Sequence, residues 1–212
     1  INNSNLIDEI ESDLDSAVKD ELLSDVPLGA FLSGGVDSPL ICYFANKYKK
    51  NKFSTFSMGS DSAVHDESFQ AQKYADDLGT THYSTFLNAE NSLDILKKAV
   101  ASTGEPFGDF SIIPTYKVSM MAKEKVTVAL SGDGGDELFF GYERFNSVAK
   151  NHSLWNNPFW VRYLVRGVDK IVFNEKHYNE CILAPNSGVA HQGLHERISQ
   201  SQLNNLIPGI SE

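Results

Sequence analysis

The sequence predicts an α/β fold, a doubly wound and mainly parallel sheet with helices on both faces, followed by a helical C-terminal segment. Two observations predict it. Short apolar runs alternate with stretches of helical period from residue 26 to residue 150, as strands and crossover helices do. Two of the strand-to-helix junctions are rich in glycine, at Ser33–Ser38 and Ser131–Asp136, the places where such sheets hold ligands.

Each element has its own signal. Ile7, Ile10, Leu14, Ala17, Val18 and Leu22 recur at three- and four-residue steps, with Ser4 upstream as a cap, and predict an amphipathic helix. Val26–Leu32 (VPLGAFL) is short, apolar and closed by Ser33-Gly34-Gly35, as a buried strand would be. A helical pattern follows over 38–49, with Pro39 in its first turn. Phe53–Met58 reads as a strand, Glu67–Leu78 as a helix stopped by Gly79, and Thr81–Phe86 as a strand. Asn88 caps a helix through Ala101, a Gly-, Pro- and Phe-containing loop spans Thr103–Ile113, and Pro114 opens a helix ending near Lys125. Val126–Leu130 (VTVAL) is the most strand-like segment, and residues 137–150 are predicted as one helix. A change of character then divides the chain into an α/β domain over 1–150 and a helical extension over 151–212. In the extension Trp155, Phe159, Trp160, Tyr163 and Leu164, with Arg162 and Arg166 between them, predict a helix that packs its aromatic residues.

Composition narrows the function classes. The 212 residues are 41% hydrophobic and 22% charged, which excludes a disordered or coiled-coil chain. Eighteen Lys plus Arg against 28 Asp plus Glu leave a net charge of −10, so neither a nucleic acid nor an anionic membrane is the expected partner. Cys42 and Cys181 show no zinc-ligand spacing and are too few for a disulfide framework, which fits a reducing, cytoplasmic setting. No apolar run approaches a membrane span, and the acidic first 25 residues are unlike a signal peptide. With Ile1 in place of Met, the sequence is expected to be a piece of a longer product.

Ser33-Gly34-Gly35-Val36-Asp37-Ser38 lies where backbone N–H groups point outward and the helix dipole favours negative charge. Gly34 and Gly35 let the main chain approach a phosphate, and Ser33 and Ser38 add hydroxyls. Asp37 beside a bare phosphate calls for a cation, which points to Mg2+. The loop lacks the Lys of a Walker loop and the glycine spacing of a dinucleotide fingerprint. The same two-glycine junction also occurs as a plain turn.

After an apolar strand, SGGVDS resembles the pyrophosphate-binding loop of the adenylating ATP pyrophosphatases, the PP-loop superfamily with its adenine nucleotide alpha hydrolase-like fold. The second loop, LSGDGGDELFFGY at Leu130–Tyr142, is similar to the Ser-Gly-(Glu/Asp)-Gly-(Ser/Gly)-Asp-Glu-Leu-Phe-Gly-Gly-Tyr segment in the synthetase domain of glutamine-hydrolysing asparagine synthetases. The likeness runs over roughly residues 20–147, including HDES at 65–68 and GEPFGDFSIIPTY at 104–116. It implies an ATP-dependent, AMP-forming amide ligase converting aspartate to asparagine through a β-aspartyl-adenylate and ammonia, with ATP and Mg2+ required.

The resemblance also implies roles. Asp37 and Asp136 would bind magnesium, one from each loop. Leu32 and Met58 would offer main-chain groups to adenine, with core packing as the plainer role of Met58. Ser33, Gly34, Gly35, Ser38, Ser131 and Gly132 would contact the nucleotide. Asp133, where many relatives have Glu, would align the acyl-adenylate and handle a proton of ammonia; turn chemistry is the alternative. Asp136 and Glu137 complete the catalytic set, though Glu137 also suits a helix N-terminus. Asp109 and Ser111 could line the site or merely turn the chain, and Arg144 could reach a phosphate or be a solvated helix residue. His65 and His82 are expected to be structural.

The sequence also departs from the pattern. Cys42 lies in a predicted core helix and no N-terminal catalytic Cys is present, so ammonia would arrive free or from a missing glutaminase domain. The PFLD-like motif and the phosphate-contacting Lys of the family have no counterpart after Lys150. A β-lactam-type synthetase using another carboxylate, or a nucleotide-binding fragment without turnover, remains an alternative. A tRNA-modifying pyrophosphatase is opposed by the charge and the missing thiol pair.

Overall fold

A computed structural model describes residues 3–49, 53–61, 66–105, 108–172 and 180–190. The chain divides into two compact units, Ile1–Asp133 and Gly134–Glu212.

The first unit runs α1 (Asn3–Glu21), β1 (Leu28–Phe31), α2 (Asp37–Tyr48), β2 (Ser54–Ser60), α3 (Ser68–Leu78), β3 (Thr81–Leu87), α4 (Ala89–Thr103), α5 (Ile112–Lys123) and β4 (Val128–Leu130). All four strands are parallel, in the order β3-β2-β1-β4. Alternate strand residues face opposite sides, and both sides are covered. Ala30 and Leu32 pack with Val18 of α1, Leu22 just after it, Cys42, Phe44 and Ala45 of α2, and Ala71 and Ala75 of α3. Phe31, Phe56 and Met58 pack on the other side with Val118, Met121 and Ala122 of α5. The predicted doubly wound α/β fold is thus the observed one.

Local chemistry explains the element ends. Gly79 stops α3 in the left-handed region at φ 67°, its N–H returning to Asp76 O. Asp66 starts the same helix: its Oδ1 accepts from Ser68 N at 3.0 Å and from Ser60 N, at the end of β2, at 3.4 Å. β4 is shorter than VTVAL suggests, because Val126 N still bonds back to Ala122 O at the end of α5. Thr127 N donates to Pro27 O, and the ladder with β1 begins only at Leu28↔Val128.

His82 on the edge strand β3 is half-buried between hydroxyls. Its Nδ1 lies 2.9 Å from Thr55 Oγ1 and its Nε2 3.0 Å from Ser57 Oγ. Thr80 donates to Ala75 O, so it accepts from Thr55; Thr55 then accepts from Nδ1–H, leaving Nε2 to accept from Ser57. Burial lowers the pKa of the ring, which suits this neutral, structural arrangement.

The second unit contains α6 (Gly135–Phe139), α7 (Glu143–Lys150), a 3₁₀ turn at His152–Asn156, α8 (Phe159–Val172) and a second 3₁₀ turn at Glu180–Leu183. Two expectations are corrected here. The single helix over 137–150 is broken: Phe140 closes α6 in the left-handed region at φ 57°, and Gly141 N donates to Asp136 O at 3.0 Å. A Cβ on Gly141 would clash with the Asp136 carboxylate and crowd its Cα at 3.2 Å, so glycine lets the chain double back without displacing that side chain.

The packing of α8 is also the reverse of that predicted. Arg162, Arg166 and Asp169 are its buried residues, while Phe159, Trp160, Tyr163 and Leu164 are all more than half exposed. The buried face is set by hydrogen bonding: Arg162 Nη1 donates to Ile182 O at 2.8 Å and Ala184 O at 2.5 Å, capping carbonyls of the neighbouring turn.

Candidate functional site

The order β3-β2-β1-β4 contains a reversal. From β1 the chain steps outward to β2 and β3, then returns to lay β4 on the other side of β1. Beyond the carboxyl ends of β1 and β4 is therefore the crevice where parallel α/β sheets bind ligands. Both glycine-rich loops leave from these two strand ends.

The loop after β1 is cross-linked by its own hydroxyls. Ser33 N donates to Ser38 Oγ at 2.8 Å, the two hydroxyls are 2.9 Å apart, and Gly35 N donates to Ser33 Oγ at 3.2 Å. Gly34 N donates instead to Glu67 Oε2, at 2.9 Å. Ser38 is buried in the first turn of α2, and Asp37 beside it is half-buried. The carboxylate of Asp37 has no hydrogen bond or ion pair among the described residues.

The loop after β4 comes directly against this turn. A Cβ on Gly132 would stand 2.6 Å from Ser38 N and 2.9 Å from both Asp37 C and Ser38 Cα, so only glycine allows the two main chains to approach as they do. Ser131 Oγ accepts from Asp133 N at 3.2 Å, so the turn is made by the serine side chain and the aspartate backbone. The exposed carboxylate of Asp133 takes no part in it.

Asp136 and Glu137 belong to the second unit, in the first turn of α6. Glu137 Oε1 accepts from Tyr142 OH at 2.7 Å, and that carboxylate raises the pKa of the phenol. The guanidinium of Arg144 lies 3.6 Å from the centre of the Tyr142 ring, a stacked cation rather than a solvated one.

Other singled-out residues have defined places. Leu32 is 2% exposed and gives its N–H to Phe56 O at 2.8 Å, leaving its carbonyl as the group that could meet a base. Met58 is half-buried against the α5 side of the sheet. Asp109 Oδ1 accepts from Ser111 N at 2.9 Å, turning the chain into α5. Burial pushes the Cys42 thiol up to about 12, as an unreactive core thiol. His65 lies outside the described residues. Glu67 was not singled out by sequence reasoning; an acid at a helix start, next to Asp66 in HDES, reads as an ordinary N-terminal residue.

Among the described residues no group of three or more His, Cys, Asp or Glu is arranged to hold a metal ion. Magnesium does not need one, since it keeps several waters and takes one or two carboxylates plus phosphate oxygens. The unengaged, hard-oxygen carboxylate of Asp37, the first residue of α2 and next to Ser38, fits that requirement. Among the described residues no helix is long and apolar enough to cross a membrane.

A parallel α/β domain with two glycine-rich loops meeting at its switch point is of the class that binds ligands through main-chain N–H groups. The chain belongs to the asparagine synthase family, whose model matches residues 9–206. It is 43% identical over 138 residues to a putative asparagine synthetase (glutamine-hydrolyzing) 2 of Methanocaldococcus jannaschii, covering 65% of this chain and 27% of that protein. It is 39% identical over 137 residues to asparagine synthetase (glutamine-hydrolyzing) 1 of Bacillus subtilis, covering 65% and 22%. The match thus spans about a quarter of these relatives' own length. An NH3-dependent NAD synthetase from Campylobacter jejuni, solved with a nitrate ion, aligns over 97% of this chain and 99% of that one at 14% identity and a TM-score of 0.47, too slight a likeness to bear on the argument.

Proposed function

We propose that this chain performs the ATP-pyrophosphatase chemistry of an AMP-forming amide ligase. In this reading the β-carboxylate of aspartate attacks the α-phosphorus of ATP and pyrophosphate leaves. Ammonia then attacks the acyl carbon, AMP leaves, and asparagine results. The observation that carries the reading is the seating of Gly132 on the backbone of Ser38, which joins the two family loops at the switch point of the sheet.

The residues suit the steps. The hydroxyl-braced loop Ser33–Ser38 holds the leaving pyrophosphate through Gly34, Gly35 and the start of α2, acting by position and charge. Bound magnesium would neutralise the phosphate oxygens, with Asp37 as a protein ligand; for Asp136 that role rests on the resemblance of its motif alone. Ser131 and Gly132 contact the nucleotide, while Leu32 and Met58 border the adenine. Asp133, whose carboxylate is not spent on the turn, orients the acyl-adenylate and accepts a proton from the attacking ammonia. Glu137, held by Tyr142, supports that charge arrangement. Ammonia is supplied free or by a glutaminase domain, and the two-cysteine composition supports a cytoplasmic setting for the reaction.

Phosphorus NMR of products tests this. ATP, magnesium, ammonium and aspartate should give AMP and pyrophosphate only when aspartate is present. The same products with a different carboxylate would assign another acceptor. ADP and phosphate would sink the pyrophosphatase reading, and ATP binding with no AMP would assign a nucleotide-binding piece that needs the rest of a longer enzyme.

A further inference from the structure

The N–H of Gly34 lies in the middle of the loop assigned above to pyrophosphate, and it is already occupied by an anion. Glu67 Oε2 accepts it at 2.9 Å. The neighbouring donors are satisfied differently: Ser33 N and Gly35 N bond to the loop's own hydroxyls. Gly34 alone is paired with a charged group from another part of the chain, 33 residues on. An anionic oxygen on a main-chain N–H in a strand-to-helix turn is the electrostatic equivalent of a phosphate oxygen.

The pairing is built into the backbone. Asp66 ties the start of α3 to the end of β2 through Ser68 N and Ser60 N. A Cβ on Gly34 would lie 2.9 Å from Glu67 Cβ and 3.1 Å from Gln70 Cβ, so helix and loop are in direct contact. Glu67 can rotate its carboxylate off the N–H, but it cannot carry that charge far from the loop.

We propose that Glu67 is a placeholder for a phosphate oxygen and makes entry of pyrophosphate into this loop conditional on a divalent cation. The proposal rests on the reading that Ser33–Ser38 is a pyrophosphate loop, and it adds a specificity-determining residue to it. A phosphate oxygen that takes the Gly34 N–H displaces the carboxylate and then sits beside it. Bare pyrophosphate then meets the like charge of the Glu67 carboxylate at close range and is rejected. With magnesium present, the displaced carboxylate and the phosphate oxygens share a cation, directly or through water, and the same juxtaposition becomes favourable. The loop thereby admits magnesium-loaded phosphates and excludes bare ones.

Titration calorimetry with inorganic pyrophosphate, in EDTA and in excess magnesium, tests this on the whole chain. Glu67→Gln keeps an acceptor oxygen at the same reach and removes only the charge. It should bind pyrophosphate in EDTA about tenfold more tightly than wild type, on the order of one unscreened charge pair near a surface, with magnesium-dependent affinity unchanged or weaker. Glu67→Asp keeps the charge but falls short of the N–H, and should still reject bare pyrophosphate. A purely structural tether predicts the opposite pattern, with Gln behaving as wild type and Asp failing. Equal affinities of wild type and Glu67→Gln in EDTA, or equal shifts in both conditions, would overturn the proposal while leaving the loop assignment intact. Absence of any magnesium-dependent binding by wild type would overturn the loop assignment and the proposal together.

Discussion

The loops after β1 and β4 share glycines and serines yet are built on opposite plans. In the first, Ser38, Glu67 and Ser33 accept from the three consecutive N–H groups of Ser33, Gly34 and Gly35. The second begins with a bond from Asp133 N to Ser131 Oγ, and its Gly132 is seated against Ser38. In the first the main chain is the instrument and the side chains brace it. In the second the backbone only delivers carboxylates, which suits a division between holding phosphate and handling the reacting acyl group.

The largest effect that would break this division comes from Asp133→Ala. Aspartate-dependent exchange of pyrophosphate into ATP should fall by about 10²–10⁴-fold with MgATP affinity spared; parallel loss of both would place Asp133 among the binding groups. Next is a glycine series followed by urea denaturation. Gly132→Ala meets only immovable backbone and should cost about 2–3 kcal/mol. Gly35→Ala meets only Ser33 Oγ at 3.4 Å and should stay within about 1 kcal/mol of wild type. Asp37→Asn should weaken MgATP binding by about tenfold, and calorimetry showing unchanged affinity would remove it from the metal site.

The supports of the two loops should also fail at opposite ends of the pH scale. The Ser68 hydroxyl, with the N–H groups of Ser68 and Ser60, holds Asp66 below the usual carboxylate range. Its contribution to the start of α3 is therefore full above its ordinary pKa and lost as pH falls through the lower folded value. Tyr142 is raised by its bond to Glu137, so that contribution is full below the ordinary tyrosine value and lost as pH rises through the higher folded one. NMR of the Ser68 amide in acid and tyrosinate absorbance in base, against Asp66→Asn and Tyr142→Phe, would check each limb separately. The smallest effect is expected for Phe140→Gly. Relief of the left-handed conformation is offset by glycine's chain entropy and the lost edge contact with Phe145, leaving a change within about 1 kcal/mol of zero in a thermal melt.

The parallel sheet was legible because its strands are apolar and its helices periodic, and these are local properties. The loops stood out through two long motifs that resemble those of a known family, since Gly, Ser and Asp by themselves suit a plain turn equally well. What escaped depended on distant partners. The exposed aromatic side of α8 could not be foreseen, since Arg162 is buried by carbonyls at 182 and 184 that no helical period announces. The break at Phe140 is hidden because Phe is an acceptable helix residue, and the approach of Gly141 to Asp136 appears only once the chain has doubled back. Glu67 was missed for the same reason: its partner is 33 residues upstream.

The central place of β1 also bears on how the protein is made. β2 is close behind β1 in the chain, whereas β4 joins its other edge at Leu28↔Val128, 100 residues apart. The first loop can be synthesised and braced long before its companion exists, and closing that long chain segment is the slow, entropically costly event. Contact between Gly132 and Ser38 is thus a late signature of folding, and a chain arrested before β4 pairs would hold a finished first loop with no second loop seated on it.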